Sequence, residues 1–339
     1  MKIEAEIPLS DLTTFRIGGK AKYFAIVRTI TELKEALELS KKKNVPFYVI
    51  GEGSNILAPD KGYGGLIIKN EIRGVKVKED GTNYIVESGA GENWDDFVSF
   101  CVFQKLYGLE NLSYIPGTVG AAPVQNIGAY GAEVGDVIDE VEVLDSDSMN
   151  LLRIANKQCY FGYRDSIFKR EKNSRLVITK VFFRLNKHDR VNIGYKDLRE
   201  RFKNKYSKDV TLEEVREAVI EIRKRKLPDW TKTPTAGSFF KNPFITKSHY
   251  ARLKTNFPGI PGFEEKGRVK IPLAWVLDKI CNLRGFKIGK VGLHENQPLA
   301  FINLGGATAE NVEAAAAFIG ASIKEKTGIN VEWEVRKVE

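Results

Sequence analysis

Residues 114–131 read Tyr-Ile-Pro-Gly-Thr-Val-Gly-Ala-Ala-Pro-Val-Gln-Asn-Ile-Gly-Ala-Tyr-Gly, and half of these eighteen positions are Gly, Ala or Pro. Pro116 and Pro123 fix φ and lack an N–H, so neither a regular helix nor a central strand runs through the stretch. Gly117, Gly120, Gly128 and Gly131 permit positive φ or close backbone approach. No charge interrupts the eighteen residues, which argues against a solvated linker. Main chain laid against something flat with polar edges fits this pattern, with Gln125 and Asn126 supplying amides. An irregular buried turn that holds no ligand fits about equally well on this stretch alone.

The rest of the chain narrows the choice. At 339 residues, two domains with sizeable cores are the natural expectation. Residues 1–6 lack the apolar core of a signal peptide, and no apolar run reaches the roughly 18 residues of a membrane helix. Cys101, Cys159 and Cys281 are odd in number and far apart. They fit neither a disulfide framework nor a zinc site, so reduced thiols in the cytoplasm are expected. Three histidines leave little material for a metal centre, and none is expected. A net charge of +9 suits nucleic acid or anionic small molecules. No nucleic-acid motif is present, and runs such as Lys41-Lys42-Lys43 read as solvated helix faces.

Residues 12–28 alternate as strands around a Gly18-Gly19 turn. Thr29 and Glu32 form a capping box for a helix over 31–43. A short strand over 45–50 runs into Gly51-Glu52-Gly53-Ser54-Asn55, followed by more strand at 65–68. Such a turn can face an anion with backbone N–H groups, although its spacing is not the dinucleotide fingerprint and no helix follows at once. Strands are expected at 74–78 and 83–88, a helix over 94–106, and strands at 137–145, 149–155 and 175–185. Few helices among many strands give an α+β pattern. Residues 196–227 read as basic helix, with a second capping box at Thr211 and Glu214. Helices at 247–255, 271–281 and 308–327, strands at 288–293 and 299–303, and a closing strand over 330–338 complete the chain.

Four spots are costly for a purely structural protein. Arg164 sits among aromatics in Phe161-Gly162-Tyr163-Arg164-Asp165-Ser166, where it can clamp an anion or pair with Asp165. Ser238 follows Ala236-Gly237, which leaves its hydroxyl accessible; a turn serine with no chemistry is the simpler reading. The basic run 223–226 ends a helix, where the macrodipole already favours it. In Glu334-Val335-Arg336, one of the two charged residues is expected to face inward from a strand, with solvated charge the simpler reading.

In combination these motifs resemble the UDP-N-acetylenolpyruvoylglucosamine reductase family of flavoenzymes. The resemblance runs in order through Thr14-Phe15-Arg16-Ile17-Gly18-Gly19, Gly51–Asn55, Ile115-Pro116-Gly117, Pro123 through Gly131, Phe161 through Phe168, Ala236 through Pro243, and Glu334-Val335-Arg336. It implies an FAD-binding domain of the vanillyl-alcohol-oxidase (PCMH) type, built of two subdomains over 1–200. A smaller α+β substrate-binding domain over 201–329 follows, and the final strand, 330–339, returns to the first domain. By resemblance, Gly51, Glu52, Gly53, Ser54 and Asn55 hold the FAD pyrophosphate. Ile115, Pro116, Gly117, Gly120, Gln125, Asn126, Gly128, Tyr130 and Gly131 lie along the flavin and its linker.

The implied reaction reduces the enolpyruvyl ether of UDP-N-acetylglucosamine to UDP-N-acetylmuramate, a step of peptidoglycan precursor synthesis. NADPH is the hydride donor to FAD, hydride then reaches C3 of the enolpyruvyl group, and Ser238 protonates C2. Arg164 and Glu334 flank the substrate carboxylate; Glu334 serves there either protonated or hydrogen-bonded to Arg164. Tyr195, Arg223, Lys226, Asn242 and Gln297 surround the UDP-sugar diphosphate. The resemblance implies a cytoplasmic monomer with no nucleic-acid or membrane partner. The sequence departs from the family pattern at Trp333, where Pro is expected, and at His294-Glu295-Asn296-Gln297. A flavin oxidase acting on another alcohol or sugar, and a basic nucleic-acid binder, are the competing readings. The segment 236–243 argues against the first and the uncharged ribbon gives the second no support.

Overall fold

Hydrophobic spacing and capping residues set the local elements, and the computed structural model describes them over residues 1–187 and 190–339. The chain divides into two units. The first comprises Met1–Glu6, Lys22–Glu52 and Gly64–Arg223; the second comprises Ile7–Ala21, Gly53–Tyr63 and Lys224–Glu339. Both mix helix with sheet, so the fold is α+β.

In the first unit the helix Ile30–Lys43 starts at Thr29 with half of the expected capping box, the Glu32 carboxylate reaching the residue before the cap. The Thr29 side chain accepts from the Glu32 N–H at 3.1 Å, and the Glu32 carboxylate accepts from the Arg28 N–H at 2.6 Å. Asn44 ends the helix in a left-handed conformation, with Lys41, Lys42 and Lys43 in the last turn and exposed. Leu33, Ala36 and Leu37 bury against Leu66 and Ile68. The neighbouring sheet has the order Ile3–Pro8, Lys20–Val27, Tyr63–Asn70, Phe47–Ile50, the last two strands being parallel. A five-stranded antiparallel sheet follows, in the order Leu151–Ala155, Ile138–Asp145, Leu176–Asn186, Asn83–Gly89, Val75–Asp80. Helix Trp94–Phe103 packs on it through Trp94 and Phe97, whose rings lie 6.2 and 4.8 Å from Phe183. This core, with Leu106, Leu109, Leu112 and Val119, forms the floor beneath residues 114–131.

The second unit holds a sheet in the order Thr235–Ser238, Gln297–Asn303, Val291–His294, Lys287–Ile288, covered by helix Ala309–Thr327. Phe239, Phe240 and Phe301 fill its centre, with Phe239 stacked on Phe301 at 4.3 Å.

Four expectations change. Residues 13–19 are not a strand: Arg16 is left-handed (φ 53°), and the turn it makes buries Phe15 and Ile17 in the second unit's core. Within 196–227 the helix is interrupted, as Lys196–Arg201 and Leu212–Lys226, with a short 3-10 turn at Ser207–Asp209 between them. The helix expected over 271–281 is three α-residues, Leu273–Trp275, running into a wider π-turn, Val276–Ile280. The closing strand over 330–338 forms a regular ladder only at Arg336–Lys337, parallel to Ile56–Leu57. It is extended but changes partner midway. Glu332 and Glu334 bond to Lys241 and Phe239, then Arg336 and Val338 bond to Asn55 and Leu57.

Candidate functional site

In the first unit the ribbon 114–131 is held by its neighbours' polar groups. Glu52 does most of the bracing at one end. Its Oε2 accepts from the Gly117 N–H at 2.8 Å, and its Oε1 accepts from Asn93 Nδ2 at 2.6 Å. The Trp94 N–H donates to the Gly117 carbonyl at 2.9 Å. Gly117 has φ 128°, a conformation side chains resist. A Cβ on Gly51 would lie 2.3 Å from Thr118 Oγ1, so this approach of turn to ribbon requires glycine. At the other end Asn111 Nδ2 donates to the Tyr130 and Asn192 carbonyls, each at 2.8 Å. The Oδ1 of Asn111 is buried without a hydrogen-bond partner.

Arg164 lies against this ribbon. Its Nη2 donates to the Gly128 carbonyl at 2.7 Å, and its guanidinium sits 5.3 Å from the Tyr163 ring centre. The buried Ser166 hydroxyl donates to the Val124 carbonyl at 2.6 Å, and Asn126 Nδ2 donates to the Gly162 carbonyl at 3.0 Å. Residues 161–168 and 123–131 are thus one packed assembly. Tyr114, Asn126, Tyr130 and Arg164 are all left-handed without being glycine (φ 59°, 48°, 49° and 53°). Such strain concentrates where surrounding contacts over-determine the backbone.

Tyr130 meets the Tyr195 ring edge-on at 5.3 Å and hydrogen-bonds to Arg223. Burial pushes its phenol up to about 12, with Arg223 opposing and Asp197 and Tyr195 adding to the shift. Burial likewise raises the Tyr195 phenol, helped by Asp197, and lowers the Arg223 guanidinium, opposed by Tyr130 and Asp95. Tyr195 stands at the N-cap of Lys196–Arg201, covered on the side of Tyr130 and open to solvent elsewhere.

In the second unit the strand Thr235–Ser238 carries a bulge. Thr235 pairs with Ile302 but Ser238 with Ala300, so three steps on one strand match two on the other. Gly237 absorbs the extra residue at φ 75°, and a Cβ there would touch nothing. The conformation, not the space, requires glycine, and the bulge re-aims Ser238. Beyond it the Glu334 N–H donates to the Phe239 carbonyl at 2.8 Å, and the Lys241 N–H donates to the Glu332 carbonyl at 2.9 Å. Ser238 and Glu334 therefore occupy neighbouring places on paired backbone. Trp333 seats its ring 4.6 Å from Phe239. Asn55 Nδ2 donates to the Glu334 carbonyl at 3.2 Å, joining the turn 53–55 to the same segment. Asn242 Oδ1 accepts from the Leu273 N–H at 2.9 Å, and Lys226 is the last residue of helix Leu212–Lys226. Gln297 faces His294 across the hairpin, and its Oε1 and His294 Nδ1 are buried without partners. Burial lowers the His294 pKa, opposed by Glu295.

The first unit brings Glu52 to Gly117, Arg164 to Asn126 and Gly128, and, separately, Tyr130, Tyr195 and Arg223 together. The second brings together Asn55, Ser238 and Glu334. Asn93, Asp95, Asn111 and Arg216, which hold the ribbon, were not singled out by the sequence; the seven-residue spacing of Arg216 and Arg223 was a usable signal. The first unit's ribbon suits FAD. It offers side-chain-poor, uncharged main chain, and the Glu52 carboxylate is engaged by two donors. Among the described residues no helix is long and apolar enough to cross a membrane, and no three His, Cys, Asp or Glu side chains are placed to hold a metal.

Comparison with known proteins agrees across the chain. Residues 21–150 match a family described as FAD binding domain. Residues 229–338 match the family described as UDP-N-acetylenolpyruvoylglucosamine reductase, C-terminal domain. The UDP-N-acetylenolpyruvoylglucosamine reductase of Chromobacterium violaceum is 39% identical over 337 residues, 98% of each chain. That of Flavobacterium johnsoniae is 38% identical over 342 residues, the whole of both. The solved reductase of Thermus caldophilus shares the fold over the full length of both chains, with a TM-score of 0.68 at 24% identity.

Proposed function

This chain belongs to the UDP-N-acetylenolpyruvoylglucosamine reductase family, and on that footing we propose that it reduces the enolpyruvyl ether of UDP-N-acetylglucosamine to UDP-N-acetylmuramate with NADPH as electron donor. It is an FAD-dependent oxidoreductase. On this reading the product is a precursor of peptidoglycan and the protein acts in the cytoplasm. The observation that carries the reading is the 38–39% identity with curated reductases over 98–100% of both chains.

When bound, FAD supplies two-electron hydride chemistry. The ribbon residues Ile115, Pro116, Gly117, Gly120, Gln125, Asn126, Gly128, Tyr130 and Gly131 would hold its ring, and Gly51–Asn55 its pyrophosphate. The chain's own residues then perform three tasks. The Arg164 guanidinium, fixed by the Gly128 carbonyl, stabilises negative charge developing on the substrate carboxylate. The Ser238 hydroxyl, re-aimed by the bulge at Gly237, gives its proton to C2; a hydroxyl is a weak acid, but an enolate-like carbon is a strong base. Glu334 is held beside Ser238 by its bond to Phe239 and orients the carboxylate end of the substrate. Tyr195, Arg223, Lys226, Asn242 and Gln297 bind the diphosphate. The N-terminal part, 1–200, with the returning segment 330–339, serves the cofactor, and 201–329 serves the substrate, in a protein that works as a monomer.

The test is spectroscopic. The purified protein should be yellow, absorbing near about 450 nm as flavins do. NADPH should bleach it without oxygen, and the enolpyruvyl UDP-sugar should restore the colour with one product formed per flavin. Colour that returns only with oxygen, or a colourless protein, overturns the reading.

A further inference from the structure

Two helices grip the Tyr114 peptide, Trp94–Phe103 at its N–H and Leu212–Lys226 at its carbonyl. The Tyr114 N–H donates to Asp95 Oδ1 at 2.5 Å, and the Tyr114 carbonyl accepts from Arg223 Nε at 2.8 Å. Asp95 is held in turn by Arg216, whose Nη1 and Nη2 donate to Oδ1 and Oδ2 at 2.7 and 3.0 Å. Arg216 and Arg223 are seven residues apart on Leu212–Lys226, two turns along one face. The Arg216 side chain is 14% exposed and that of Asp95 25%, so water competes little for this pair.

We propose that Arg216, acting through Asp95, is a positioning residue for the cofactor site: it sets the left-handed Tyr114 peptide and with it the first residues of the ribbon. The proposal rests on the reading that 115–131 lies along FAD. Among the described residues, Arg216 reaches the ribbon by hydrogen bonds through Asp95. Without it, the Asp95 carboxylate keeps a main-chain donor but loses its two-pronged partner. Asp95 also acts electrostatically on Arg223. Asp95 then turns toward Arg223, and both holds on Tyr114 loosen together. The next fixed point is Gly117, bonded through its N–H to Glu52 and through its carbonyl to Trp94. Asn93, Trp94 and Asp95, at the start of helix Trp94–Phe103, thus serve both anchors. Ile115 and Pro116 span the interval and take their positions from its two ends.

The experiment compares the full-length protein with Arg216→Gln, Arg216→Lys, Asp95→Asn and the Asp95→Asn/Arg216→Gln double variant. Three quantities are read: backbone amide exchange over residues 112–120 without FAD, the FAD dissociation constant, and the unfolding midpoint. In Arg216→Gln the exchange of 114–117 should rise and FAD affinity fall, each by about tenfold, while amides of the five-stranded sheet keep their protection. Arg216→Lys keeps the charge without the fork and should recover only part of the loss. The double variant should be no worse than the poorer single one, because both changes cut the same link. If Arg216→Gln fails to fold, Arg216→Lys carries the same comparison. Folded variants with exchange and FAD affinity within about twofold of the parent would overturn the clamp. A parent that takes up no FAD would instead overturn the cofactor reading beneath it.

Discussion

The Glu334 N–H donates to the Phe239 carbonyl at 2.8 Å, which seats the carboxylate-bearing residue directly across from the neighbour of Ser238. Backbone pairing sets this relationship, so it does not depend on either functional side chain. A one-residue slip in the pairing would turn Glu334 to the opposite face. The Lys241–Glu332 bond, two residues along, prevents the slip.

Ser238→Ala should therefore leave the pairing intact and remove only the hydroxyl. Steady-state turnover should fall by about 10²–10⁴-fold if Ser238 is the proton donor. NADPH should still bleach the flavin at the parent rate, measured by stopped flow. Turnover unchanged in the variant removes Ser238 from the mechanism.

Glu52→Ala should strand two donors at once, the Gly117 N–H and the Asn93 amide. Leaving such groups without partners costs about 1–3 kcal/mol. Urea unfolding should show that loss, with weaker FAD retention on gel filtration. Glu52→Gln keeps one acceptor and should fall between the parent and Glu52→Ala. Equal stability in all three would mean that water replaces the carboxylate without cost.

The N-cap at Thr29 and the capping box at Thr211 were legible because both partners lie three residues apart in sequence. The Arg164 segment and the ribbon were legible as unusual, since small residues and proline leave few conformations open. Two things were not legible. Phe15 and Ile17 alternate like a strand, yet the turn at Arg16 carries both into the second unit's core, a tertiary demand that local spacing cannot reveal. The closing segment has strand composition throughout but changes partner between Glu334 and Arg336. Its pairing depends on residues some ninety and two hundred and eighty positions earlier, such as Lys241 and Asn55. Asp95 and Arg216 were missed for the same reason: neither is unusual until residue 114 is placed beside them.

Tyr130 predicts a pH dependence with a definite sign. Burial raises its phenol to about 12, above the roughly 10 of an unfolded chain. The neutral form is favoured in the fold, so this contribution to stability is complete below about pH 10 and is lost as pH rises through about 12. Phenol titration of the folded protein by ultraviolet absorbance should contain a late component near that value. Tyr130→Phe should lack it, and its stability should fall less steeply across the same interval. Superimposable titrations would show that the Tyr130 phenol ionises with the exposed tyrosines.

Trp333 separates packing from pairing. The two bonds flanking it are made by the Glu334 N–H and the Glu332 carbonyl, so neither uses the Trp333 N–H. Proline, which lacks that N–H, leaves both bonds available. Trp333→Pro should lose the contact of the half-buried Trp333 ring with the buried Phe239, 4.6 Å away, at a cost of about 1–3 kcal/mol in unfolding free energy. The kcat should stay within about threefold, because the backbone seat of Glu334 survives. Lys241→Pro makes the opposite change: it keeps the aromatic contact and deletes both the main-chain bond to Glu332 and the Nζ–Glu332 ion pair at 2.9 Å, the latter shared with a Lys241→Ala control. That variant should lose turnover far more than stability accounts for, measured on the folded fraction at saturating substrate. If Trp333→Pro lost turnover as severely as Lys241→Pro, the tryptophan ring, not the hydrogen-bonded register, would be what holds Glu334 in place.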